Sequence, residues 1–201
     1  AVANLTAGEP DRPPPAFVTD AMRGLDPLSA TRYTDTRGLP EVRAGVATWI
    51  AREGGATWTA DEVLLLDGAK RALALGIEAA FDEGDEVLLV APYWVSYPAM
   101  LALAGASPAV VEARAEQGFR PPLEALEAAI GPRTRGLIVN TPQNPTGAVY
   151  GDADLDALAD LARRHDLLVI SDEIYQHIQF SDQPVQPLLG RHPELKERTL
   201  V

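Results

Sequence analysis

Leu137-Ile138-Val139-Asn140-Thr141-Pro142-Gln143-Asn144-Pro145-Thr146-Gly147 and Leu167-Leu168-Val169-Ile170-Ser171-Asp172-Glu173-Ile174-Tyr175 share one pattern. Each opens with branched apolar residues and passes straight into polar ones. A run that is apolar at every position reads as a parallel strand buried on both faces. The polar residues behind it should lie just past the strand's carboxyl end, where open α/β sheets bind ligands. An amide, a carboxylate and a phenol (Asn144, Asp172 and Tyr175) are therefore expected in one crevice. That set suits an electron-sink cofactor with a ring nitrogen and a phenolic oxygen.

Working outward, strands and helices alternate. Strands are predicted at Glu62–Leu66, Val87–Val90, Pro108–Val111, Leu137–Val139 and Leu167–Ile170, and Arg198–Val201 reads as the start of another. Helices are predicted at Gly68–Phe81, Val95–Ala104, Pro122–Ile130 and Asp152–His165. The last has acidic residues early and Arg163, Arg164 and His165 late, matching the helix dipole. Upstream, Pro10–Pro15 is an irregular arm, Ala16–Gly24 a helix, Tyr33–Pro40 a turn-rich linker and Glu41–Arg52 a helix. The fold class is α/β: a mostly parallel sheet covered by helices on both faces.

The chain has 201 residues, 46 % apolar and 23 % charged, in the range of a globular domain. Its net charge of −12 argues against nucleic acid as the main partner, since phosphate backbones need a basic face. There is no basic amphipathic helix for a membrane surface and no signal-peptide pattern. No apolar run reaches the roughly 18 residues of a spanning helix. Without cysteines there are no disulfides, thiolate metal sites or cysteine nucleophiles, which fits a reducing, cytoplasmic setting. Both ends look cut, so the chain reads as a fragment.

Two further motifs come directly after predicted strands. Asp67-Gly68-Ala69-Lys70 allows a tight turn into a helix whose first amides can cradle a phosphate. Ala91-Pro92-Tyr93-Trp94 sets an aromatic at a strand mouth, where it can stack on a planar ring or simply pack on the sheet. An ordinary turn at Asn144, and a capping Asp172 beside a core Tyr175, are the plain alternatives for the opening pair. His165 reads as a helix C-terminal charge, His192 as a surface residue and His177 as a packed one. Their spacing supports neither a metal site nor a catalytic triad.

Taken together and in order, the motifs resemble those of the class I aminotransferases, pyridoxal-phosphate enzymes of fold type I. The resemblance runs from Leu5-Thr6-Ala7-Gly8-Glu9-Pro10-Asp11 through Arg32-Tyr33-Thr34, Gly38-Leu39-Pro40-Glu41-Val42-Arg43 and Gly68-Ala69-Lys70. It continues through Pro92-Tyr93-Trp94-Val95-Ser96-Tyr97-Pro98, Asn144-Pro145-Thr146-Gly147-Ala148-Val149-Tyr150 and Ser171-Asp172-Glu173-Ile174-Tyr175. The chain looks most like bacterial aspartate and prephenate-type aminotransferases, and like their N-terminal half.

The resemblance implies a role for each matching residue. Asp172 would pair with the pyridinium nitrogen, and Asn144 and Tyr175 with the phenolic oxygen. Trp94 would stack on the ring, and Gly68, Ala69 and Lys70 would line the phosphate turn. Tyr33 would reach the phosphate in a neighbouring subunit, implying a homodimer with shared sites. Gly8 would lie near the substrate, together with Trp94 and Asn144. Lys70 would either meet an acidic substrate side chain or be a solvated first-turn lysine. Asp172 and Tyr175 are the catalytic candidates, no metal is expected, and the partners are an amino acid and a 2-oxo acid. The Asn144–Pro145 bond is expected to be cis. Residues 1–32 would form an N-terminal arm and part of a small domain. Residues 33–201 would form the large cofactor-binding domain, incomplete at its end. The Schiff-base lysine and two anion-binding arginines of the family do not fall within the sequence: Lys70 lies in the phosphate turn and Lys196 reads as part of a solvated charged helix. A fold-type-I carbon–sulfur lyase and the sensing domain of a transcription regulator are the alternatives.

Overall fold

A computed structural model describes Gly8, residues 12–178, Phe180 and residues 185–201. They fall into two compact units, one ending at Thr36 and the other running Arg37–Val201. The first holds α1 (Ala16–Arg23) and α2 (Pro27–Ala30). Asp26 starts α2 by accepting the Leu28 and Ser29 amides at 3.4 and 2.9 Å, the usual work of an N-cap carboxylate. The predicted arm at Pro10–Pro15 lies partly outside the described residues.

The second unit contains α3 (Pro40–Arg52), α4 (Ala69–Ala80), β1 (Glu86–Ala91), α5 (Tyr97–Leu103), β2 (Ser107–Glu112) and α6 (Leu123–Ala128). It continues with β3 (Thr134–Asn140), α7 (Asp152–Arg164), β4 (Leu168–Asp172), α8 (Leu188–Arg191) and β5 (Thr199–Leu200). All five strands are parallel, in the order β2-β1-β3-β4-β5. Side chains alternate across such a sheet with a period of two. Leu88, Val90, Leu137, Val139 and Val169 face one core with Leu126 of α6 and Leu155, Leu158 and Leu161 of α7. Val87, Leu89, Ile138 and Ile170 face the other core with Ile77 of α4 and Tyr97, Met100 and Leu101 of α5. Both faces are thus covered, as the doubly apolar strands require.

The helix ends obey local chemistry. Asp154, in the first turn of α7, accepts the Gly151 amide at 3.0 Å and a two-pronged bond from Arg120 at 2.7–3.0 Å. The helix expected from Val95 begins only at Tyr97, because Pro98 has no amide hydrogen and suits the first turn, where none is needed. No helix among the described residues is long and apolar enough to cross a membrane.

The strand expected at Glu62–Leu66 is not formed. Ala60–Glu62 make a single 3-10 turn held by Thr59, whose amide and hydroxyl both donate to the Glu62 carboxylate at 2.8 and 2.9 Å. Leu64 is 51 % exposed. An apolar run becomes a strand only beside a ladder partner, and among the described residues the backbone bond recorded from this run to a distant segment is Leu65 N–H to the Arg37 carbonyl. Lys196 is not a solvated helical lysine either. It lies in a 3-10 segment, pairs with Glu62 at 2.6 Å and sits 4.7 Å from the Trp58 ring centre.

Ion pairs tie α6, α7 and α8 together and set a pH response. Arg164, aided by His165, holds Glu127 down to about 2. Arg191, aided by His192, does the same for Asp156. His192 is consequently not a plain surface residue: it lies between Asp156 and Glu194 at 2.9 and 3.0 Å with a mostly covered ring. A carboxylate whose folded value is depressed adds stability above its unfolded value and loses it as pH falls through the folded one. The melting temperature should therefore decline between about pH 4.5 and pH 2. In the Glu127→Gln, Asp156→Asn double variant that decline should be shallower, by a modest amount because both pairs are exposed. Identical slopes in thermal melts across that range would remove these pairs from the account.

Candidate active site

Three strand ends meet where the chain order reverses, between β1 and β3. In a doubly wound sheet that reversal opens a crevice above the carboxyl ends. β1 delivers Trp94, β3 delivers the 140–147 turn, and β4 delivers Asp172 and the turn behind it.

Asn140 and Asp172 are register partners at the ends of β3 and β4. The Asn140 side-chain amide donates to the Asp172 carbonyl at 3.0 Å, and its oxygen accepts the Asn144 amide at 2.8 Å. One buried side chain thus stitches the turn to the next strand. The turn closes on itself through Gly147 N–H to Gln143 O and Gln143 N–H to Ala148 O, both 2.8 Å. The Thr146 hydroxyl bonds the Gln143 side chain. The Asn144–Pro145 bond is cis, as expected, and so are Thr141–Pro142 and Ala91–Pro92. The held turn presents Asn144, whose side-chain amide donates to the Tyr175 hydroxyl at 3.2 Å.

Asp172 is 8 % exposed, and a carboxylate so buried needs donors. The Tyr97 hydroxyl donates to one oxygen at 2.6 Å, and the Ile174 amide reaches the other at 3.3 Å. Burial, and then the Asp172 charge, push the Tyr97 phenol far above its ordinary range, so it stays a donor. Burial also raises the neighbouring Glu173 carboxyl, while the Ser171 hydroxyl, donating at 2.8 Å, works against the rise. The Tyr97 ring meets Trp94 edge-on, with centroids 5.4 Å apart at 86°. Lys70 Nζ lies 5.2 Å from the Trp94 ring centre.

On the far wall, Gly68 caps α4 with φ +102°, a left-handed conformation that side chains resist. No heavy atom stands within 4 Å of where its Cβ would be. The backbone there is open to a ligand, and the N-terminus of α4 offers its first amides to an anion. Gly68, Ala69, Lys70, Trp94, Asn144, Asp172 and Tyr175 line one cavity of about 260 Å³. A larger cavity of about 360 Å³ lies against α3, α4 and β5; its walls are mostly apolar, and it shares Ala69, Leu73, Asp172 and Ile174 with the first.

Gly8 and Tyr33 belong to the first unit, where both are exposed. His177 is not packed, contrary to expectation: it is exposed, with its ring 5.5 Å from Trp49. Two residues of the cavity wall, Asn140 and Tyr97, were not singled out from the sequence. Asn140 carries a readable signal, since it ends an apolar run as Asp172 does. Tyr97 carries none, because its partner is 75 residues away.

A family model described as aminotransferase class I and II matches residues 1–200. The chain is 44 % identical over 183 residues to a probable aspartate/prephenate aminotransferase of Thermus aquaticus, covering 91 % of this chain and 48 % of that protein. It is 40 % identical to the aspartate/prephenate aminotransferase of Cereibacter sphaeroides, covering 99 % and 50 %. The solved aspartate aminotransferase of Thermus thermophilus with maleate superposes with a TM-score of 0.91 at 42 % identity, covering 97 % of this chain and 50 % of that one. The chain thus spans about half the length of the curated relatives it matches.

Proposed function

This chain belongs to the class I and II aminotransferase family, and from that premise we propose that the whole protein moves an amino group from an L-amino acid, aspartate or glutamate, to a 2-oxo acid, with pyridoxal phosphate as cofactor. The observation that carries the reading is the convergence of Asp172, the Asn144–Tyr175 pair, Trp94 and the Gly68 turn on one cavity. These residues fit the cofactor. The donor set matches its ring nitrogen, phenolic oxygen and aromatic face, and the open backbone at Gly68 suits a phosphate.

When bound, pyridoxal phosphate supplies an electron sink for the substrate's Cα. Asp172 would hold the proton on the ring nitrogen, since a nearby carboxylate favours the charged form. Asn144 and Tyr175 would hydrogen-bond the phenolic oxygen. Trp94 would cover one face of the ring, and Gly68, Ala69 and Lys70 would take the phosphate at the α4 N-terminus. Asn144 and Trp94 would also face the substrate, with Gly8 near it. Asp172 and Tyr175 are proposed as catalytic residues. The reading includes a cytoplasmic homodimer in which Tyr33 reaches the other subunit's phosphate.

The full-length protein given aspartate and 2-oxoglutarate should form oxaloacetate and glutamate. Cleavage of cystathionine without that exchange would instead favour a carbon–sulfur lyase.

Lys70 bears on substrate choice. Its ammonium stands beside the aromatic proposed to cover the ring, where an acidic substrate side chain could meet it. A hydrogen bond to a charged group contributes about 1.5–3 kcal/mol. Lys70→Ala should then lower kcat/KM for aspartate roughly 10- to 100-fold more than for an apolar amino acid. Equal losses for both substrates would leave Lys70 with no part in selection.

A further inference from the structure

We propose that Tyr97 is a positioning residue that sets Asp172 and Trp94 together, aiming the Asp172 carboxylate towards a bound cofactor. This rests on the cofactor reading above and goes beyond it, since Tyr97 itself is assigned no contact with cofactor or substrate.

The geometry is specific. Tyr97 is the first residue of α5 and is 1 % exposed. Its hydroxyl holds one Asp172 oxygen at 2.6 Å, whereas the contact recorded for the other oxygen among the described residues is the longer one from the Ile174 amide. Its ring braces the Trp94 indole in a T-shaped contact with centroids 5.4 Å apart. One side chain from the helix after β1 therefore orients residues from two separate strand ends. Burial matters twice. It fixes the ring in a single place, and it strengthens a charge-assisted bond that water would otherwise weaken. The other ionisable groups facing this pair are Tyr175 and Tyr150, with Glu173 beside Asp172 and Lys70 over Trp94. Among the described residues, the recorded side-chain donor to the Asp172 carboxylate is Tyr97.

The test is equilibrium binding of pyridoxal phosphate to the full-length apoprotein, monitored by tryptophan fluorescence, for wild type, Tyr97→Phe, Asp172→Asn and the double variant. Tyr97→Phe keeps the ring and removes only the donor, so affinity should fall about ten-fold near neutrality. In the Asp172→Asn background the same change should cost less than about two-fold. Should Tyr97→Phe not fold, 3-fluorotyrosine at this position gives a second variant. It is a stronger donor of nearly the same shape, and should bind pyridoxal phosphate at least as tightly as wild type, whereas weaker binding would overturn the proposal. A loss equal in both backgrounds would reduce Tyr97 to packing and overturn the proposal. No loss at all would do the same. If Asp172→Asn itself left affinity unchanged, the cofactor reading would fail, and this proposal with it.

Discussion

Asp172→Asn in the full-length protein is expected to lower transamination roughly 100- to 1,000-fold while leaving the fold in place. The side chain keeps its shape, and its amide oxygen can still accept from Tyr97 Oη, which now stands at 2.6 Å. What disappears is the negative charge. Breaking a buried charge pair by removing one partner costs about 3–5 kcal/mol. A loss of that order, felt in the rate-limiting barrier, corresponds to a factor of roughly 100–1,000 or more. The position magnifies the effect: Asp172 is 8 % exposed, so water cannot replace the lost charge. Steady-state kcat with aspartate and 2-oxoglutarate is the measurement, with circular dichroism and a thermal melt as controls. A kcat within about three-fold of wild type, on a folded protein, would take Asp172 out of the proposed chemistry.

Leu137→Ala and Gly136→Ala, at adjacent positions of β3, should both destabilise, for opposite reasons. Leu137 is 1 % exposed and points to the core shared with α6 and α7. Its truncation leaves a void in the middle of the sheet, costing about 2–5 kcal/mol. For a chain of this length that should lower the melting temperature by roughly 5–20 °C. Gly136 faces the other way. A Cβ there would press on the Phe81 ring, which is 3 % exposed and packed in the core shared with α4 and α5. Overfilling should cost about 1–3 kcal/mol. Phe81→Leu should recover part of the Gly136→Ala loss and none of the Leu137→Ala loss. Chemical denaturation of the four variants decides the matter. Equal recovery in both would contradict the assignment of the two residues to opposite faces.

Most of this architecture was legible because periodicity and local chemistry agree. β1, β3 and β4 are apolar on both faces, and nothing but a covered parallel sheet accommodates that. The helix limits at Gly68 and Asp152 stem from a glycine that turns and from acids at an N-terminus. The Glu62–Leu66 run shows where such reading ends. Its composition is that of a strand, but a strand is a relation between two segments, and composition does not name the second. Lys196 and His192 failed for the same reason. Each looked solvated in its own neighbourhood, and each is held by a carboxylate more than 30 residues away, Glu62 and Asp156 respectively.

The chain's own order of residues determined the layered α/β class, the crevice at the carboxyl ends and the gathering of Asn144, Asp172, Tyr175, Trp94 and the Gly68 turn. Apart from the Gly68 turn, which a glycine ahead of a helix marks without a strand before it, these depend on the residues at the carboxyl end of each strand, and that is local information. Only the tertiary structure decided how the site is held: Tyr97 bonding Asp172 across 75 residues, and Asn140 joining two strand ends. Those bonds depend on which helix packs over which strand and in what register. That choice is made by the summed burial of two cores, which no single stretch of sequence contains.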